Sequence, residues 1–162
     1  MKLARHGIEA ELPGGWEGRI YRRASSNPAE ARETFPILHA ANFPLPIEDG
    51  DYGSGAVSSM GPDGVFAAVL EFGPAYVGEP TFPRLARIPR VRASDLGRRT
   101  MQVLIPGHLG EQRFFTLAGR AFCLYVVVGS ERAAREHLAG LDRWLGSVRV
   151  ARGAGAHGGR AR

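Results

Sequence analysis

The apolar run Phe122-Cys123-Leu124-Tyr125-Val126-Val127-Val128, bounded by Gly119 and Gly129, limits the folds open to this chain more than any other stretch. It is too short to cross a membrane, and its aromatic and β-branched side chains favour a central strand with both faces covered. Arg113 to Leu117 is a second strand of similar composition. Ala118-Gly119-Arg120 between them supplies a glycine for a tight turn, so the pair reads as a hairpin.

The cover follows directly. Ser130 can accept a hydrogen bond from an orphan helix amide, and Glu131 suits the positive end of the helix dipole. Ala134, Leu138, Leu141, Trp144, Leu145 and Val148 then recur at three- and four-residue spacing, which predicts a helix over 131–146 with one apolar stripe. Its outer face carries Arg132, Arg135, Glu136, Asp142 and Arg143, with Glu131/Arg135 and Arg132/Glu136 spaced for i,i+4 pairing. Ser147 to Val150 alternates as a brief closing strand.

Earlier segments add strands and long connections. Gly7 to Leu12 and Gly18 to Arg23 alternate apolar and polar residues around the turn Pro13-Gly14-Gly15-Trp16, which predicts an N-terminal hairpin with Trp16 folded over the sheet edge. Phe35 to Phe43, Val65 to Phe72 and Met101 to Ile105 are further strand candidates. Ala24 to Thr34 reads as a loop with a helical turn over 29–32, and Pro44 to Gly64 as a long loop with one turn at 56–60. Pro80, Pro83 and Pro89 exclude regular helix from 75–95 and favour an extended surface path. Together these predict a single α+β domain over 1–150, a mainly antiparallel β-sheet packed by a C-terminal amphipathic helix.

The formal charge is +5 and is carried almost wholly by arginine, Lys2 being the only lysine. Arg152, Arg160 and Arg162 lie in the glycine- and alanine-rich stretch 151–162, which reads as a disordered basic tail. The remainder is close to neutral, so the overall charge says little about nucleic acid. Met1 to Gly7 has no apolar run resembling a signal peptide, and the expected compartment is the cytoplasm. Cys123, the single cysteine, cannot form an internal disulfide and sits where a thiol behaves as a small hydrophobe.

No motif commits the chain to a chemistry. Gly50-Asp51-Tyr52-Gly53-Ser54-Gly55 lacks the order of a dinucleotide-binding loop and the Lys-Ser/Thr of a P-loop. No Gly-x-Ser-x-Gly surrounds Ser54, Ser58 or Ser59, and His6, His39, His108, His137 and His157 lack metal-ligand spacing. No cofactor, metal site or catalytic residue is therefore assigned. His39 and His137 read as packing residues. His108, in a Pro-Gly loop, is the best-placed titratable group should the chain be an enzyme.

One charge feature rises above the background: Arg84, Arg87, Arg90, Arg92, Arg98 and Arg99, opposed locally only by Asp95. On an extended segment they could line a basic strip for phosphate or carboxylate groups. The plainer reading pairs them with the acidic loop Glu48-Asp49-Asp51 or leaves them solvated, and aromatic residues for base stacking are not interleaved with them.

The Leu-Pro-Gly-Gly-Trp turn that ends Ile8 to Trp16, with the strand, helix and Leu-x-Ser-Val-Arg-type ending of Phe122 to Val150, resembles the PsbP-like α/β/α sandwich family, and the outline is similar to small proteins of high-GC actinobacteria. The resemblance covers about a third of the chain and carries no functional signature. It implies an antiparallel sheet with helices against it, and the role of a binding or accessory protein. The expectation is therefore a non-enzymatic protein acting through protein or ligand contacts, with a polyanion or nucleic-acid binder using Arg84 to Arg99, or an enzyme using His108, as alternatives.

Overall fold

The computed structural model describes residues 1–23, 34–48 and 50–153. The helical turn expected over 29–32, Asp49 and the tail from 154 onward lie outside them. Among the described residues, eight strands form two antiparallel sheets: β1 (Lys2–Arg5), β2 (Ile8–Glu11) and β8 (Arg149–Val150) in the order β1-β2-β8, and β3 (Glu17–Arg22), β4 (Pro36–Ala41), β5 (Val65–Glu71), β6 (Leu109–Leu117) and β7 (Arg120–Val128) in the order β3-β4-β5-β7-β6. A short helix α1 (Ser54–Ser59) precedes β5, and the long helix α2 (Glu131–Ser147) lies between β7 and β8. The α+β architecture and the antiparallel pairing are as the sequence predicts, with α2 one residue longer and the closing strand reduced to two residues.

Strand alternation sorts the two faces of the larger sheet. Phe122, Leu124, Val126 and Val128 of β7, Val65, Val69 and Leu38 share one core with Leu138, Leu141, Trp144 and Leu145 of α2 and with Ile8 and Leu12. The smaller sheet and α2 thus cover the same face, and the buried α2 stripe is the one the spacing predicts; truncating Leu141 there would cost about 2–5 kcal/mol. Cys123, Tyr125 and Val127 point the other way, into a second core under α1 and the loops that carry Phe43, Leu45, Met101 and Ile105. Burial of β7 on both faces explains why its sequence is continuously apolar.

Both β-hairpins turn in two residues with positive φ at each, His6 (53°) and Gly7 (73°), and Ala118 (53°) and Gly119 (72°). That backbone twist matches antiparallel strands. The N-terminal hairpin consequently differs from the one expected. β2 pairs with β1, Arg5 facing Ile8, whereas β3 pairs with β4 in the other sheet. Turn 13–16 therefore carries the chain from one sheet to the other, and Trp16 packs on Trp144 of α2, ring centroids 5.7 Å apart, instead of over a sheet edge. Met101 to Ile105 is likewise not a strand: Met101 and Ile105 pack onto the second core while Leu104 is 62% exposed, and the Gln102 amide donates to the Tyr125 hydroxyl at 3.0 Å.

Arg120 ties the two sheets together. Its Nε and Nη2 donate to the two carboxylate oxygens of Glu71 at 3.0 and 2.6 Å, and its Nη atoms reach the carbonyls of His6, Gly7 and Ala151 at 3.1–3.4 Å. The guanidinium also lies 5.4 Å from the centre of the Phe122 ring. Both partners of the ion pair are about nine-tenths covered, so the carboxylate fork offsets the cost of burying a charge.

Candidate functional site

The arginines expected to form a basic strip are placed by the apolar residues between them. Phe82, Ile88 and Val91 are buried, and the latter two enter the α2-side core. The prolines keep this segment out of a helix, and β6 holds both its ends: the Leu85 amide donates to the Thr116 carbonyl and the Thr116 amide to the Pro83 carbonyl, each at 2.8 Å, while Gly97 and Gly110 exchange bonds of 2.8 Å. The Thr116 hydroxyl donates to the Phe82 carbonyl at 2.8 Å. Anchored this way, the segment lies along the outer edge of β6 and against α2.

The six side chains do not act as one row. All are exposed. Arg84 lies over Gly78, whose missing Cβ would stand 2.7 Å from Nη2. Arg92 lines a shallow groove with Ala134 and Leu138, and its backbone amide donates to Asp95 at 2.8 Å. Arg98 and Arg99 follow the Gly97 bridge. Arg87 and Arg90 instead converge on one helix residue: Asp142 accepts Arg90 Nε at 2.8 Å through Oδ2 and Arg87 Nη2 at 3.4 Å through Oδ1. Among the described residues, pairing with Glu48 and Asp51 is replaced by these contacts, and Asp51 instead pairs with Arg23. The reason is geometric, because the apolar anchors lay the arginines on α2 whereas the acidic loop caps the opposite face of the sheet.

Around Asp142, Arg87, Arg90, Ala139, Arg143 and Gly146 line an open groove of about 450 Å³. Asp142 and Arg143 belong to the site although their spacing in sequence suggests only a solvated helix face. Nothing local in the sequence ties residues 52 or 55 positions apart. A second groove of about 590 Å³ lies on the other flank of α2, floored by Leu12, Trp16, Leu141 and Trp144, with Arg143 and Glu136 on its rim. Arg143 borders both.

Cys123, His39 and His108 lie in the interior. Burial pushes the Cys123 thiol up to about 12, so at neutral pH it stays protonated. His39 is fully buried between the rings of Tyr21 and Phe66, and its Nε2 donates to the Asp51 carbonyl at 2.8 Å. His108 is 5% exposed, and its Nδ1 finds no hydrogen-bond partner among the described residues. Burial lowers its pKa, partly offset by the Met60 backbone. An enzyme using His108 would need a second polar side chain within reach of the ring, and among the described residues Nδ1 has no partner. Among the described residues no group of three His, Cys, Asp or Glu side chains is gathered in a way that could hold a metal ion, and no helix is long and apolar enough to cross a membrane.

No protein-family model, no curated protein and no solved structure matches this chain.

Proposed function

We propose that this chain is a non-enzymatic binding or accessory protein of the cytoplasm that meets its partner through the cationic face made by residues 84–92 and the C-terminal half of α2. The observation that carries the reading is the gathering of Arg87, Arg90 and Arg143 around a single carboxylate, Asp142. Like charges brought together repel, and one aspartate leaves two positive charges uncompensated; an anionic partner would offset that cost. The reading agrees with the accessory role implied by the PsbP-like resemblance. It also favours the polyanion alternative over the enzyme alternative, because the positive charge lines a groove while the buried His108 Nδ1 has no partner among the described residues.

The test is chromatography on heparin and on immobilised DNA at rising salt. The full chain and a chain ending at Gly153 are both expected to be retained, and the variant combining Arg87→Ala, Arg90→Ala and Arg143→Ala to elute at distinctly lower salt. Retention that disappears with residues 154–162, or that the three substitutions leave unchanged, would overturn the proposal.

A further inference from the structure

Resting on that reading of the cationic face, we infer that Arg87, Arg90 and Arg143 form a subsite for a phosphate group, and that Asp142 is its positioning residue. The arrangement is layered. Asp142 is only 13% exposed, whereas the Arg87 and Arg90 side chains above it are 48% and 69% exposed. An approaching anion therefore meets N–H donors, with the carboxylate beneath them.

The donors left over point to the ligand. Arg90 commits only Nε to Asp142, leaving both Nη groups uncommitted among the described residues. Arg87 uses Nε on the Ile88 carbonyl at 3.3 Å and Nη2 on Asp142, leaving Nη1. Arg143 lines the same groove and makes no ion pair among the described residues. Gly146 gives Arg87 room to lie flat on the helix, since a Cβ there would stand 2.9 Å from Nη2. Asp142 thus fixes two guanidiniums at one edge each, which aligns their remaining edges and reduces the side-chain entropy that a ligand must otherwise remove. A flat carboxylate matches one guanidinium fork. A tetrahedral phosphate offers oxygens to several donors in different planes, and its charge approaches the two left uncompensated.

The substitution that separates this subsite from a diffuse positive surface is Asp142→Asn. It makes the chain more positive by one charge, so non-specific attraction predicts tighter binding. Loss of the anchor predicts weaker binding, by about tenfold. Arg90→Lys is the companion, because it keeps the charge and removes the fork; the same loss is expected. Both are measured on the full chain with inorganic phosphate by calorimetry and with a fluorescent oligothymidylate by anisotropy, circular dichroism serving to confirm folding. A double variant, Asp142→Asn with Arg90→Lys, should bind no more weakly than either single one, because both substitutions disable one unit.

If both ligands lose affinity, the subsite takes the phosphodiester of a polynucleotide. If only inorganic phosphate does, it takes a free or terminal phosphate. Wild-type binding that Asp142→Asn leaves unchanged or strengthens, with Arg90→Lys equally silent, overturns the subsite while leaving the cationic face intact. A wild-type chain that binds neither ligand and is not retained on heparin overturns the underlying reading as well.

Discussion

Removing the Arg120 side chain should do more damage than removing any exposed arginine, and the structure says how much. Arg120→Ala deletes a bidentate partner of Glu71 whose side chain is 10% exposed, together with donors to three carbonyls. Breaking a buried pair from one side leaves an uncompensated charge, which costs about 3–5 kcal/mol. With a urea m-value of about 2 kcal/mol/M for a domain of this size, the unfolding midpoint falls by about 2 M. Most of this cost comes from the stranded carboxylate, so Arg120→Ala combined with Glu71→Gln should regain about 1 kcal/mol or more relative to Arg120→Ala alone. The assay is urea unfolding followed by tryptophan fluorescence, Trp16 and Trp144 lying together at the junction of turn 13–16 and α2. A loss below about 1 kcal/mol for the single variant, or a double variant less stable than the single one, would refute the assignment of Arg120 as the tie between the sheets.

Two further outcomes follow from titratable groups that folding perturbs. The pKa of His108 is lowered by burial, and that of His6 by burial and then by Arg22, Arg5 and Arg120. Well above pH 6.5 both are neutral folded or unfolded; as the pH falls through the unfolded value of 6.5 the unfolded chain takes up protons that the native chain resists, so stability should fall from about pH 7.5 down to 5.5, His108 contributing at most about 1.4 kcal/mol per pH unit. His108→Leu should flatten that profile in urea titrations, and an unaltered profile would contradict the burial argument. For Cys123, a thiol-specific reagent at pH 8 should label nothing in the native chain and one thiol per chain in denaturant; labelling that proceeds without unfolding would show the strand to be open.

The fold was legible wherever burial is written into local composition. β7 and β5 are marked by apolar runs, and α2 by a stripe whose members are all buried. What differs is the pairing of the N-terminal strands. Alternation identifies β2 and β3 as strands but carries no information about partners, and β1, four residues of which only Leu3 is partly buried, is too short and exposed to give a signal. Met101 to Ile105 misled because an apolar cluster covering a sheet and an apolar strand inside one have the same composition. The site was half legible. The arginines stood out by spacing, but Asp142 and Arg143 join them only through the way Ile88 and Val91 are sunk into the core.

The segment that presents these arginines also closes the outer rim of the larger sheet. Its bonds to Gly110 and Thr116 occupy backbone groups of β6 that would otherwise be open to another chain, and the Glu111 carboxylate takes up the Gln112 amide between them at 2.8 Å. An open rim is a template for copies of the same molecule to add to it. Charge and solubility are therefore tied to one stretch of backbone: a substitution that frees residues 82–97 would alter both what the protein attracts and how readily it polymerises.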